Sequence, residues 1–275
     1  MNAPLNFDYL NSVELLRDMR PITLDEMRSV RLMNRIDTKY VISDEEVITL
    51  LSEAAKRGYR VQTIGDRRAA RYDTLYFDTA DRAMYIAHHN QHLKRQKIRT
   101  RQYVESGICF LEIKNKSNRG RTHKLRVEID NGEMRDFCGN DKAMALFNEN
   151  SWHALPTLSP ALSTRFVRIT LVNAQFTERI TIDTNLRYKD LRSGLSGEIR
   201  GMAIVEIKQE GNCDSVAKQI LGQMRIAPMK ISKYCLGTSL TVEGVKRNRM
   251  KAKLRAIEKR IGYGRVTINN ATTNN

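Results

Sequence analysis

The sequence predicts an α+β protein: an antiparallel β-barrel tunnel with a charged interior, flanked by amphipathic helices. Three observations lead there. Strand-like segments dominate the middle of the chain and lack the regular strand–helix rhythm of a parallel α/β sheet. In those segments the polar face is charged at nearly every position and almost free of Ser, Gln and Asn. The 275 residues also carry 47 Lys and Arg against 31 Asp and Glu, a formal net charge of +16, which points to an anionic partner.

Residues 1–34 read as an N-terminal helical lead-in. Val13, Leu15, Leu16 and Met19, then Ile22, Leu24, Met27, Val30 and Leu32, recur at helical spacing broken at Pro21. The main domain is expected over 35–242 and opens with the β-rich run Thr38-Lys39-Tyr40-Val41-Ile42. Ser43-Asp44 is a suitable N-cap for a helix to about Arg57. Strands follow near 59–64, 71–78, 94–105, 108–116, 122–131, 164–175, 177–184 and 202–210, with a hairpin turn at Ser106-Gly107. Helices are expected at 141–149, 213–224 and 231–240. Residues 243–275 form a basic helical tail, KRNRMKAKLRAIEKR, that ends in a polar, disordered TINNATTNN.

Residues i and i+2 of a strand share a face. On this rule Arg95, Lys97, Arg99 and Arg101 stand together, as do Glu112, Lys114 and Lys116, with Leu111 and Ile113 opposite. Lys124, Arg126, Glu128 and Asp130 oppose Leu125, Val127 and Ile129. Arg179, Thr181 and Asp183 oppose Ile180 and Ile182, and Glu206 and Lys208 oppose Val205 and Ile207. A single alternating strand means only one wet face and one core face. The whole set reads differently if the sheet curls with its charged face inward and helices cover its apolar exterior. Clustered cations repel one another when empty, and phosphate oxygens relieve that through bidentate, charge-assisted hydrogen bonds. The few carboxylates suit a hard divalent cation such as Mg²⁺ or Mn²⁺.

Other chemistries are absent. There is no apolar run of about 18 residues and no secretory signal, so a cytoplasmic location is expected. Cys109, Cys138, Cys213 and Cys235 lack CxxC spacing and read as reduced thiols; the five His do not pair with them at zinc-ligand spacing. No GxxxxGKS/T loop, HExxH or Ser-His-Asp arrangement stands out. With no helix-turn-helix, RNP-like aromatics or zinc finger, nucleic acid is not an expected partner.

Taken in order, the charged strands resemble the VTC domain, the catalytic module of the vacuolar transporter chaperone polyphosphate polymerase, within the triphosphate tunnel metalloenzyme (CYTH-like) superfamily. The resemblance runs from about Met33 to Leu240. Arg35-x-Asp37-Thr38-Lys39-Tyr40-Val41 looks like the opening strand, and Tyr72-Asp73-Thr74-x-Tyr76-Phe77-Asp78 with Tyr85-x-x-His88 like the second block. Lys97-Ile98-Arg99-x-Arg101-x-Tyr103 looks like the basic phosphate-holding strand. Leu111-Glu112-Ile113-Lys114, Lys124-Leu125-Arg126, Arg168 and Arg179-Ile-Thr-Ile-Asp183 follow. Val205-Glu206-Ile207-Lys208 looks like the metal-carboxylate strand and Ser232-Lys233-Tyr234 like the closing helix. Two departures matter. The superfamily's opening Glu-x-Glu-x-Lys is replaced by Arg35-Ile-Asp37-Thr38-Lys39, which disfavours its hydrolase and cyclase branches. His88 stands where the eukaryotic polymerase carries an arginine.

The resemblance implies an ATP-dependent polyphosphate polymerase that passes the γ-phosphoryl group to phosphate, pyrophosphate or a growing polyphosphate chain. Lys39, Arg99, Arg101, Lys114, Lys124, Arg168, Arg179 and Lys233 are the expected phosphate clamps. His88, Arg126 and Lys208 are the expected further nucleotide or phosphate contacts, and Glu206 the ligand for Mn²⁺ or Mg²⁺. Glu112 and Glu128 are expected as partners of neighbouring cations, with Arg126 pairing to Glu128 and Asp183 orienting Arg179. Tyr40, Tyr76 and Tyr103 are expected in the barrel wall. A metal-dependent tri- or polyphosphatase and a non-catalytic polyphosphate binder are the alternatives. The basic tail is open to contact with a membrane, a membrane protein or the polyanion itself.

Overall fold

The computed structural model describes residues 5–28, 35–119, 121–211 and 213–269. Three short helices, α1 (Phe7–Ser12), α2 (Glu14–Asp18) and α3 (Leu24–Arg28), and the two-residue strand β1 (Pro21–Ile22) lead into β2 (Arg35–Ser43). Then come α4 (Asp44–Lys56), β3 (Arg60–Gln62), β4 (Ala69–Thr79), α5 (Ala83–His89), β5 (Arg95–Tyr103), β6 (Ile108–Lys116), β7 (Thr122–Ile129) and α6 (Asp141–Asn150). The chain continues through β8 (Leu158–Val172), β9 (Glu178–Asp190), β10 (Ser196–Ile199), β11 (Met202–Glu210), α7 (Val216–Gln223), α8 (Lys233–Thr241), α9 (Asn248–Ile261) and β12 (Val266–Asn269).

Eight strands form one antiparallel run in the order β2-β11-β9-β8-β4-β5-β6-β7. Among the described residues no ladder joins β7 to β2, so the tunnel is a strongly curled sheet that hydrogen bonds do not close. Register shifts on both sides of β8, at Tyr76/Phe77 and at Arg165/Val167, add local twist. β10 and β12 extend β9 on one side, and β3, with β1 parallel to it, adds to β8.

Alternation decides which face is which. Ile169, Leu171, Ile180, Ile182, Val205 and Ile207 point out from the curl and are buried under Leu50 and Leu51 of α4, Ile220 and Leu221 of α7, and Leu10 and Leu16 of the lead-in. Ile98, Leu111 and Ile113 are covered by Phe147 of α6 with Met134 and Phe137. Each such side chain contributes about 1.5–3 kcal/mol on leaving water. The charged residues are thereby left on the concave face, and helices cover the apolar exterior as the pattern predicts.

A third apolar cluster lies on the concave side, where α8 and α9 cover part of the curl. Tyr76, Leu162 and Tyr188 meet Tyr234, Leu236 and Leu240, and α9 adds Met250, Ile257 and Ile261. Buried Asp78 anchors this arrangement: its carboxylate accepts from the Met84 and Tyr85 amides and from the Tyr234 hydroxyl, tying α5 and α8 to β4.

The predicted start of α4 is a full capping box. Ser43 accepts from the Glu46 amide at 3.2 Å, and Glu46 accepts from the Ser43 amide at 2.7 Å. Strands 108–116 and 202–210 fall where the pattern puts them. Others do not: β8 begins at Leu158 and β9 runs on to Asp190, each six residues beyond its expected bound. Helix α5 and strand β10 are unpredicted, and β12 forms within the tail expected to be disordered, paired along β10 from Ser196↔Asn269 to Ile199↔Val266. An open sheet edge offers unpaired backbone groups to any adjacent extended segment, whatever its composition. The lead-in is also less continuously helical than expected: at the break at Pro21 the chain forms β1, held parallel to β3, before α3 resumes the helix with Leu24 and Met27. Val30 and Leu32 lie outside the described residues.

Gly237 of α8 rests on the sheet where a Cβ would stand 2.4 Å from the Tyr188 ring and 2.8 Å from Leu162. Gly237→Ala is expected to cost about 1–3 kcal/mol of stability in chemical denaturation. Gly222→Ala in α7, where a Cβ meets nothing within 4 Å, is expected to be neutral or slightly stabilising.

Candidate functional site

Cross-strand register builds the concave face as three clasps, each a carboxylate holding two cations. Glu112 on β6 faces Arg99 on β5, which donates at 2.6 and 2.7 Å, and also binds Lys124 of β7. Asp183 on β9 faces Arg168 on β8, which donates through two nitrogens at 2.5 and 2.8 Å, and also binds Lys233 at the start of α8. Glu206 on β11 faces Lys39 on β2 at 2.6 Å and accepts from Lys208, two residues along its own strand, at 2.8 Å. The Glu112 and Asp183 side chains are only 2% exposed. Burial alone would raise these three carboxyls. The paired Arg and Lys outweigh it and hold all three below the usual carboxylate range.

The clasps do not neutralise the lumen. Among the described residues Lys97, Arg101, Lys114 and Arg126 have no carboxylate within 4 Å. Arg101 donates to Thr74 at 3.0 Å, and Lys97 donates to Ser232 at 3.1 Å. Lys114, on β6, lies in the field of Glu206, Lys39 and Asp37 from β11 and β2, across the curl. Burial, aided by Lys114, Arg99 and Arg95, pulls the Lys97 ammonium down to about 7. Burial also pulls Lys208 down to about 8, against the attraction of Glu206. Ser232 caps α8, so the N-terminus of that helix, with Lys233 in its first turn, opens toward the same space. A helix start adds its own partial positive charge.

The expected clamps Lys39, Arg99, Arg101, Lys114, Lys124, Arg168 and Lys233 therefore meet on one concave wall. Lys208 joins the Glu206 clasp, and Arg179 stands beside it in register on β9. Two expectations change, and His88, expected as a phosphate contact, is placed beside Lys97 and Arg95. Asp183 holds Arg168 and Lys233 in place of Arg179, because four residues of extended strand put Arg179 about 13 Å away. Arg126 does not pair with Glu128; its guanidinium lies 4.5 Å over the Phe110 ring. His88 sits half-buried on α5, where burial and then Lys97 and Arg95 hold its ring neutral, and its Nδ1 has no hydrogen-bond partner. Glu112 does serve its neighbouring cations.

Glu206 was expected to bind a divalent metal. Both of its oxygens accept from lysines, and the described residues contain no group of three or more His, Cys, Asp or Glu able to hold a metal ion. The protein's own donors thus do not fit a resident metal centre. Sequence reasoning also passed over Lys97, Ser232, Tyr72 and Phe166 as site residues. The alternation already put Lys97 on the Arg99 face, and Tyr72 shares the face of Thr74 and Tyr76; the other two depend on contacts remote in sequence.

A curled antiparallel sheet whose concave wall is lined by excess Lys and Arg, with helices outside, defines a phosphate-holding tunnel protein. The chain belongs to the VTC domain family, whose model matches residues 34–242. That membership and the lumen make it a tunnel enzyme of polyphosphate or triphosphate chemistry. No curated protein matches the chain. Among solved structures, a Hippeastrum protein described as an adenylyl cyclase candidate with a dominant triphosphatase activity aligns at 17% identity and a TM-score of 0.46, covering 76% of this chain and 98% of that one. A candidate adenylate cyclase from Bacillus halodurans aligns at 16% identity and 0.47, covering 72% and 94%. One from Vibrio parahaemolyticus aligns at 10% and 0.42, with the same coverage.

Two outcomes are expected. Glu112→Gln leaves Arg99 and Lys124 without their counter-ion. The variant should lose about 1–3 kcal/mol in phosphate-free denaturation and recover part of it with tripolyphosphate. The second concerns pH. Lys97 titrates near 7 in the folded chain and near 10.5 when unfolded, so between those values the unfolded chain binds the extra proton. Stability of the empty protein from this group therefore rises with pH across that window. A phosphate favours the charged ammonium, so tripolyphosphate affinity should fall as pH rises through 7, with proton uptake on binding above it. Calorimetry in buffers of different ionisation enthalpy checks both signs.

Proposed function

We infer that the chain is an ATP-dependent polyphosphate polymerase. The observation that carries this reading is the continuous wall of Lys39, Lys97, Arg99, Arg101, Lys114, Lys124, Arg168 and Lys233, with no activated nucleophile among them. Phosphoryl transfer needs positioning and charge neutralisation more than covalent chemistry. The triphosphate of ATP would lie along the wall, its γ-phosphoryl group in line with phosphate, pyrophosphate or the end of a growing chain. Arg99 and Arg168 are aimed by Glu112 and Asp183, and the lysines adjust to the oxygens that arrive. The acid-poor opening strand, with Asp37 where the hydrolase branch of the resemblance has two acids, favours transfer over hydrolysis. Mn²⁺ or Mg²⁺ would enter with the nucleotide's phosphates, with Glu206 the carboxylate expected to approach it.

Among the described residues no helix is long and apolar enough to cross a membrane. The proposed site of action is cytoplasmic. Helix α9 turns Met250, Ile257 and Ile261 inward and leaves Arg249, Lys251, Arg255 and Lys259 exposed, a face that would suit an acidic membrane surface.

The test is to incubate the chain with ATP and Mn²⁺ and follow ³¹P signals. Growth of internal phosphoanhydride signal in step with ADP is expected, and Arg99→Ala or Lys233→Ala should each lower its rate by about 10²–10³-fold. Free phosphate as the sole product would replace the polymerase reading with a triphosphatase.

A further inference from the structure

We propose that the stacked rings of Tyr72 and Phe166 are positioning residues that hold the lumen's guanidinium groups ready for phosphate without adding negative charge. The proposal rests on the reading that the tunnel cations receive phosphate oxygens. Tyr72 on β4 and Phe166 on β8 are cross-strand partners, 7% and 3% exposed, with ring centroids 5.1 Å apart and planes 13° from parallel. Arg101 approaches both rings, its guanidinium carbon 5.6 Å from each centroid. Arg168 lies 4.8 Å from Tyr72 and 5.3 Å from Phe166, and the Lys233 ammonium 4.7 Å from Phe166. One pair of rings thus serves three cations drawn from β5, β8 and α8.

The distinction between these cations gives the rings a purpose beyond filling the wall. Arg168 and Lys233 already share Asp183. Arg101 is 6% exposed, makes no ion pair among the described residues, donates to the neutral Thr74 hydroxyl and packs on the two rings, with Glu112 attracting it only from beyond ion-pair distance and Arg99 and Arg168 repelling it. A carboxylate would hold Arg101 more firmly, but it would also repel an incoming phosphate and occupy the donors the phosphate needs. An aromatic face attracts a cation through its quadrupole, carries no net charge and takes none of the fork's N–H groups. Arg101 can therefore be buried and oriented in the empty tunnel while its two terminal NH₂ groups stay available, the Nε–H being held by Thr74. Tyr103 and Phe110 extend the same belt, with Phe110 carrying Arg126.

The test compares Phe166→Leu and Tyr72→Leu, which keep apolar bulk and remove the π face, with Phe166→Tyr and Tyr72→Phe, which keep it. Inorganic tripolyphosphate is the probe, titrated calorimetrically into the full chain. Each Leu variant should bind about 5–30-fold more weakly, and the π-conserving variants close to wild type. A second readout needs no phosphate. In ¹⁵N-arginine spectra the Arg101 Nε–H should be rigid and slow to exchange with solvent in wild type and the π-conserving variants, and become mobile and fast-exchanging in Phe166→Leu and Tyr72→Leu. Leu variants that unfold earlier yet keep the Arg101 signal and tripolyphosphate affinity would show that the rings are only wall, and overturn the proposal. If wild type itself does not bind tripolyphosphate, the functional reading falls, while the Arg101 signal still decides whether the rings position it.

Discussion

Mutual repulsion among the lumen cations is the constraint to which the rest of the structure answers. Strand alternation drives Lys and Arg to one face, and curling that face inward brings them close in a space of reduced dielectric. The fold tolerates this by dispersing three carboxylates, Glu112, Asp183 and Glu206, over three strands, so that each steadies two cations from different elements. The convex face supplies the opposing free energy. Ile180, Ile182, Val205, Ile207, Leu111 and Ile113 are fully buried beneath helices that belong to the same chain. Stability is built outside the tunnel, and part of it offsets the charge excess inside.

The clasps also explain how the wall is ordered before a ligand arrives. Arginines of the wall that meet a carboxylate do so through forked contacts that fix their planes, which matters for phosphate geometry. Lysines are compact charges on flexible stems and need less orientation. Helix α8 links this wall to the apolar cluster: Lys233 and the Ser232 cap reach Asp183 and Lys97, while Tyr234 is held by Asp78. The placement of a lumen lysine thus depends on packing several residues away, including the close approach at Gly237.

Much of this was legible in residue order. The alternations in 95–101, 110–116, 179–183 and 205–208 correctly sorted inner from outer side chains, because the two-residue period of a strand leaves no other choice once one face is apolar. The α4 cap was legible because a capping box is a local bond pattern. The partners of Asp183 were not, because Arg168 is 15 residues away and Lys233 is 50. Nor was the occupation of Glu206 by two lysines, since its spacing to Lys39 spans 167 residues. Strand β12 escaped notice because its polar residues are paired by an edge that β10 happens to offer.

What the sequence by itself determined is the character of each surface: which side chains are apolar, which are cationic, and that β5, β6, β7, β9 and β11 alternate between charged and uncharged faces. Those properties follow from residue type and period alone, and they were enough to predict an anion-holding interior for a sheet that curls with its charged face inward. The tertiary structure decided which cations are paired and which remain uncompensated. That division depends on curl, register and the seating of α8, which bring Arg101 to two aromatic rings and Arg168 to a carboxylate although both lie on the same wall. Charge balance at a site is a sum over neighbours in space, and neighbours across a curled sheet are set by packing that no local stretch of chain encodes.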